Sequence, residues 1–462
     1  MDANTEDQAN SPLQNSSASQ KHGKEEKRKR PLKKPKGLNP LQRGIHKFLT
    51  NELAALAPQS LDSNNTPPAS TGRTAEPRPE AETLVSSLPK RFTVYQPLLL
   101  LPANAFSVPQ AWGTIYASLN DQQKDVLYAS IVEAFKDQDV THLAMNAPIV
   151  MTDLQGQENI MRSPVGLTPL YGDFGDVSFT NSTLAGSQPS QSDLETAFWV
   201  RAVQNHGIVQ IWAPLYTMFS RGNITEKARI LGQREDSGAS SFEGLDEPSL
   251  HDQAVHDTSV VDMYAGIGYF VFSYLKRGVK RVWGWEINGW SVEGLRRGCV
   301  ANGWGCRVVR VHENGTLEPS VSDLVHTLQD TDRVVIFHGD NSSAAEILEK
   351  VKQVMEQDGE ASWSSVRHVN LGLLPSSRDS WANACRMIDD RRGGWLHVHE
   401  NVAIHEIQQK SEEIRTALTE SWEQSTRDTA STVECRHTER VKTYAPGVMH
   451  CVFDMALSRC MK

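Results

Sequence analysis

The chain has 462 residues, 39% of them hydrophobic and 22% charged, with 47 Lys and Arg against 56 Asp and Glu for a net charge of −9. At about 150 residues per domain, this length accommodates two or three domains. The acidic balance excludes a uniformly basic nucleic-acid coat protein but allows a local basic patch. The six cysteines, Cys299, Cys306, Cys385, Cys435, Cys451 and Cys460, form no CxxC pair and no zinc-ribbon spacing, so they read as reduced thiols.

Residues 1–89 are rich in Ser, Asn, Gln, Pro and charge, and are expected to be mostly disordered. No apolar signal core opens the chain. The densest apolar stretch of the first half, Leu98–Leu101, is far below the about 20 residues that span a bilayer. A soluble cytoplasmic protein with no membrane partner is expected. A basic run, Lys21–Lys36, sets nine Lys and Arg against Glu25 and Glu26; its +7 leaves −16 for the remaining 446 residues. It reads as a flexible arm for a polyanion, as a nuclear-import signal, or as a solvated tail with no partner. Leu41–Leu53 is short and amphipathic, and Ser60–Ser86 is a second polar linker.

Order is expected from about Lys90, in a smaller α+β domain over residues 90–245. RFTVYQPLLLLP carries a strand signal, Ala111–Asp137 a helical period, and Gly207–Trp212 (GIVQIW) a further strand. Pro164, Pro169 and Gly172 mark turns; Thr180–Asp193 and Ser237–Glu247 read as loops. FSRGN, from Phe219, suits a sharp turn before a helix, ITEKARIL. Lys227 and Arg229 on that helix face a ligand or phosphate if it folds over a site; otherwise they pair with Glu226 on a solvated face.

Over residues 246–462, strands and helices alternate: SVVDMY, RVWGWE, RVVIFHGD, VRHVNLGLL and GWLHVHENV, each followed by a helical segment. That pattern predicts an α/β domain around a mixed, mostly parallel sheet. TVECRHTERVK and HCVFDMAL have no helix between them and predict a closing antiparallel hairpin. Arg307–Asp332 reads as an insertion.

Three polar groups close three successive parallel strands. Asp262-Met-Tyr-Ala-Gly266-Ile-Gly268 lets backbone approach a ligand at the carboxyl edge, with a tight turn and a capping acid as the plain alternative. Val271 stands where a GxGxxG dinucleotide site needs its third glycine, which argues against NAD. Glu286 ends the second strand, where an acid accepts ribose hydroxyls. Asp340 and Asn341 end the third, where they match an adenine edge. Together these features resemble class I S-adenosylmethionine-dependent transferases with a Rossmann-like domain. The fourth strand ends in Asn370-Leu-Gly-Leu-Leu-Pro-Ser-Ser, where nitrogen methyltransferases often carry Asn-Pro-Pro-Tyr. An ordinary strand exit stopped by Pro375 is the plain reading.

FSRGNITEK, DMYAGIGYF, GWEINGWSVEGLRR, GDN, VNLGLLPSS, GGWLHVHENV and VKTYAPGVMHCVFD together resemble the tRNA wybutosine-synthesizing protein 2 family, as does MRSPVGLTPLYGDFG. The likeness runs from about Lys90 to Leu457. The first two motifs are shared with the tRNA guanine-37 N1-methyltransferases, and VNLGLLPSS favours the former. The resemblance implies transfer of the 3-amino-3-carboxypropyl group of S-adenosyl-L-methionine to C7 of 4-demethylwyosine at position 37 of tRNA(Phe), releasing methylthioadenosine. It implies no metal. By matching motif, Ser220 and Lys227 contact the co-substrate, Glu286 holds the ribose, and Asp340 with Asn341 the adenine. Asn370 positions the acceptor base in the anticodon loop. Where the family often has Arg after Gly-Asp-Asn, this chain has Ser342. A guanine-37 N1-methyltransferase and a non-catalytic tRNA-binding module are the competing readings.

Overall fold

The computed structural model describes residues 37–52, 88–146, 167–175, 188–217, 219–232, 242–250, 253–358 and 363–459. The basic run, the second linker and MRSPVG lie outside them. All elements below belong to the unit Asn39–Lys462.

The first helix lies earlier than the expected onset of order. α1 (Pro40–Lys47) starts from a capping box in which Asn39 accepts from the Gln42 amide at 2.9 Å and Gln42 accepts from the Asn39 amide at 3.3 Å. Leu41, Ile45 and Phe48 fall on one face and are buried. They pack with α2 (Gln110–Ser118) and α3 (Asp121–Glu133) through Trp112, Leu127 and Ile131. Beneath these helices runs a four-stranded sheet. β1 (Thr93–Tyr95) pairs antiparallel with β2 (Leu98–Leu101), β2 parallel with β3 (His142–Met145), and β3 antiparallel with β4 (Thr168–Tyr171). A separate hairpin, β5 (Val200–Val203) with β6 (Val209–Trp212), leads to α4 (Ile224–Ile230).

The larger sheet has nine strands. They are β7 (Thr258–Asp262), β8 (Arg281–Glu286), β9 (Gly305–Val311), β10 (Leu317–Glu318), β11 (Asp332–His338), β12 (Ser365–Leu371), β13 (Gly394–Ala403), β14 (Thr432–Ala445) and β15 (Val448–Ser458). Their order is β10-β9-β11-β8-β7-β12-β13-β15-β14. β9, β11, β8, β7, β12 and β13 are mutually parallel; β10 and β15 run against them, and β14 pairs antiparallel with β15, so the expected closing hairpin is present. One face packs against α5 (Val271–Arg277) and α6 (Gly289–Ala301) through Phe272, Leu275 and Leu295. α7 (Val321–Thr327) follows β10. The other face packs against α8 (Ala344–Asp358), α9 (Trp381–Met387) and α10 (Ile407–Thr426) through Ile347, Trp381 and Trp422.

The segment expected as an insertion is therefore part of the fold. β9 pairs with β11 from Gly305 to Arg310, and β10 and α7 follow it. Only Val309 of β9 is fully buried, so the strand lacks the apolar run that marks its neighbours. From β7 the chain winds one way through β8 and β11, and the other way through β12 and β13. The reversal between β7 and β12 is the topological switch point, where ligands of doubly wound sheets bind.

Candidate active site

Asp262 and Asn370 flank that switch point, opposite each other in the β7–β12 register. Asn370 Nδ2 donates to Asp262 Oδ1 at 3.1 Å, and the Tyr264 amide donates to the same oxygen at 3.3 Å. The other oxygens, Asp262 Oδ2 and Asn370 Oδ1, are buried and have no partner among the described residues. Asp262 is 0% exposed and Asn370 1%. Burial pushes the Asp262 carboxyl up to about 7. Two unsatisfied buried acceptors side by side are costly alone and favourable once a cation or donor arrives.

The glycine turn follows Asp262. Gly266 and Gly268 sit at φ 55° and 86°, the left-handed region that favours glycine. A Cβ on Gly268 would meet Leu295 at 2.7 Å and Phe272 at 2.8 Å, so this glycine also lets the turn approach α6. Glu286 ties the turn to β8. Its two oxygens accept the Gly266 and Asn288 amides, each at 2.8 Å. Burial raises its pKa, and those backbone donors pull it back. Each carboxylate oxygen keeps a lone pair for a further donor.

Asp340 and Asn341 separate. Asp340 is exposed and accepts the Ser342 amide at 2.7 Å. Asn341 turns inward, donating to the Met263 carbonyl at 2.8 Å and accepting from Ser380 at 3.3 Å. It clips the loop after β11 to the glycine turn.

The FSRGN turn comes from the other side. The Ser220 amide donates to the Tyr269 hydroxyl of the glycine turn at 3.1 Å. Lys227 is buried, with Nζ 2.9 Å from Gln210 Oε1 and 3.3 Å from Gln204 Oε1. It also lies 5.2 Å from the Tyr269 ring centre and 5.6 Å from that of Phe219. No carboxylate pairs with it among the described residues, and burial lowers its pKa to about 7. A buried ammonium served only by neutral groups is a receptor for an anion.

Arg229 does not face a ligand. The expected pairing with Glu226 forms, but in the core rather than on a solvated face. Arg229 donates to Glu226 at 2.7 and 2.9 Å and to Asp454 of β15 at 2.5 and 3.2 Å. Asp454 in turn binds His397 Nδ1 at 2.6 Å, His397 meets His368 at 2.9 Å, and His368 ends on the Gly244 carbonyl at 2.8 Å. Burial opposes the Asp454 charge, yet Arg229 and His397 hold its carboxyl well below the usual range; burial raises Glu226. This chain fixes α4, and with it Lys227, over β12, β13 and β15. The sequence signal was present in the alternating His397-Val-His399 of a buried strand.

No protein-family model matches the chain. It is 37% identical to tRNA wybutosine-synthesizing protein 2 of Schizosaccharomyces pombe over 369 residues, covering 80% of this chain and 72% of that protein. It is 30% identical to the Saccharomyces cerevisiae protein of the same name, covering 80% and 75%. The solved structure of P. horikoshii TYW2 with MeSAdo aligns at 17% identity over 81% of this chain and 94% of that one, with a TM-score of 0.43, too slight a likeness to bear on function. On the two sequence relationships, the chain belongs to the tRNA wybutosine-synthesizing protein 2 family.

Proposed function

We propose that the chain transfers the 3-amino-3-carboxypropyl group of S-adenosyl-L-methionine to C7 of 4-demethylwyosine at position 37 of tRNA(Phe), in the cytoplasm, releasing methylthioadenosine. The observation that carries this reading is the pairing of opposite needs around the glycine turn. Asp262 Oδ2 and Asn370 Oδ1 lack a donor, while Lys227 lacks an anion. A zwitterionic amino acid supplies both: its ammonium fits the two acceptors and its carboxylate fits Lys227 and the Ser220 turn. Glu286 then takes ribose hydroxyls on its free lone pairs. Asp340, on the exposed side, takes the adenine edge, with Asn341 holding its loop. The donor supplies an electrophilic carbon beside a sulfonium that leaves as a neutral thioether. What the chain supplies is chiefly position: holding the amino acid end at two points selects which of the three sulfonium carbons meets the nucleophile.

The by-product tests this. With tRNA(Phe) carrying 4-demethylwyosine, the expected product beside the tRNA is methylthioadenosine. S-adenosylhomocysteine instead would move the assignment to the guanine-37 N1-methyltransferase reading.

The two receptor groups set a pH dependence. Asp262 must be ionised to hold an ammonium, and its raised pKa places that transition near 7. Lys227 must be protonated to hold a carboxylate, and its lowered pKa places the opposite transition near 7. Donor affinity is therefore expected to be bell-shaped around neutrality, falling about tenfold per unit well outside it. Calorimetry across pH 5–9 checks this: Asp262→Asn removes the acid limb and Lys227→Met the alkaline one.

The basic arm fits phosphate contacts with the tRNA. Removing residues 1–36 is expected to weaken tRNA binding and flatten its salt dependence, as nine Lys and Arg are lost from residues 21–36. Filter binding from about 50 to 200 mM salt reads both; an unchanged slope assigns the arm to another task.

A further inference from the structure

The same sheet face carries a second polar group that the donor site leaves unused. In β13, the period of two turns His397, His399 and Asn401 to one side and Val398 and Val402 to the apolar core. His399 Nδ1 meets His450 Nε2 of β15 at 3.0 Å, and both residues are 1% exposed. Their other ring nitrogens, His399 Nε2 and His450 Nδ1, are buried and have no partner among the described residues, nor do the side-chain amide atoms of Asn401.

These residues stand where the site's elements converge. Asn370 is level with His397, so His399 lies two residues beyond it, past the carboxyl edge of β12. The Phe270 ring of the glycine turn is 5.2 Å from that of His399. A Cβ on Gly372, in the loop after Asn370, would lie 3.6 Å from the same Phe270 ring. The Asn401 amide donates to the Pro375 carbonyl of that loop at 3.0 Å. His450 is level with Lys442, whose side chain covers Gly222 of the FSRGN turn.

We propose that His399, backed by His450, accepts the proton released in the transfer step. The assignment rests on the transfer reading above. The attacking C7 still holds a hydrogen. Its π pair forms the new C–C bond, the donor's C–S bond breaks, and that pair stays on sulfur. The ring is left positively charged, with the hydrogen still on C7, and the bound thioether can take the group back until that proton is lost. The C–H pair restores aromaticity as the proton passes to His399 Nε2. His399 is then an imidazolium whose Nδ1–H donates to His450 Nε2, and it gives its extra proton to water once the modified tRNA has left.

A C–H on a cationic ring is a strong acid, so a weak base suffices, provided it is neutral. Burial, His450, His397 and Arg229 hold His399 well below the ordinary histidine value, with Asp454 acting the other way. Burial and Lys442 hold His450 down to about 4. Both rings are thus neutral at pH 7, and in a neutral linked pair one of the unpartnered nitrogens is always a bare lone pair.

The test uses the full chain, tRNA(Phe) bearing 4-demethylwyosine, and carboxyl-labelled S-adenosyl-L-methionine in single turnover. His399→Gln is expected to slow transfer about 100-fold or more. Donor and tRNA dissociation constants, measured separately by calorimetry, are expected to stay within about threefold. With donor held saturating at every pH, so that the Asp262 limb of binding is silent, the acid limb of the wild-type rate is expected to vanish, and deuterium at C7, silent in wild type, to slow the variant. A rate within about threefold of wild type, a loss explained by weaker binding, or a retained acid limb would overturn the assignment. Should His399→Gln fail to melt cooperatively, His450→Asn decides. It leaves His399 in place and is expected to shift the acid limb; an unshifted limb overturns the backing by His450. A wild-type enzyme that transfers no carboxyl label defeats the transfer reading itself, before any variant is compared.

Discussion

Arg229→Met is expected to lower the free energy of unfolding by about 3–5 kcal/mol, the largest stability effect among these substitutions. The guanidinium is buried and binds Glu226 and Asp454 at once. Removing it leaves the Asp454 carboxylate without its main counter-charge, in a place water does not reach. Glu226→Gln should cost much less, because burial already favours its neutral form. The sign of the pH dependence follows. Asp454 is held below its ordinary value, so its contribution is fully present above about pH 4 and is lost as pH falls through the native value. Urea unfolding of the wild type and both variants at pH 7 and at about pH 3 checks the order and the sign. Equal losses for Arg229→Met and Glu226→Gln would mean that the cluster is not organised around Asp454.

Glu286→Gln is expected to weaken donor binding about 30- to 100-fold, or about 2–3 kcal/mol. The change is isosteric but not conservative. Both carboxylate oxygens accept backbone amides, from Gly266 and Asn288. A glutamine amide keeps one acceptor and turns an NH2 toward the other backbone N–H. The glycine turn loses a tether just where its own geometry needs one, and the ribose loses an acceptor. Titration calorimetry with S-adenosyl-L-methionine measures this directly. Binding within about threefold of wild type would place the ribose elsewhere.

The strands β7, β8 and β11 were legible because each holds an apolar run, Val260-Val261, Val282–Trp285 and Val334–Phe337, followed within three residues by Asp262, Glu286 and Asp340. The closing hairpin was legible for want of a helix between its strands. β9 was not, because it is half-exposed and Arg307 and Arg310 interrupt its apolar residues. α1 was legible as the amphipathic segment Leu41–Leu53, whose Leu41, Ile45 and Phe48 form a clear face, but its neighbours read as disordered and order was expected only from about Lys90. At the site, residue types on the strand ends showed what was there but not which way it pointed. Asn341 turns to a backbone carbonyl, and Arg229 to a carboxylate 225 positions away in sequence. Long-range partners such as Asp454 leave no mark near the motif they serve. The polar alternation of His397, His399 and Asn401 was a signal available within one strand, since polar residues every second position in a buried strand need partners or a ligand.

The central claim is that the site directs the aminocarboxypropyl carbon, not the methyl, at the tRNA. The most direct measurement uses S-adenosyl-L-methionine labelled separately at the methyl and at the carboxyl carbon, with tRNA(Phe) bearing 4-demethylwyosine. Carboxyl label in the tRNA with methyl label left in released methylthioadenosine is the predicted result. Methyl label in the tRNA, with the carboxyl label remaining in S-adenosylhomocysteine, would contradict it.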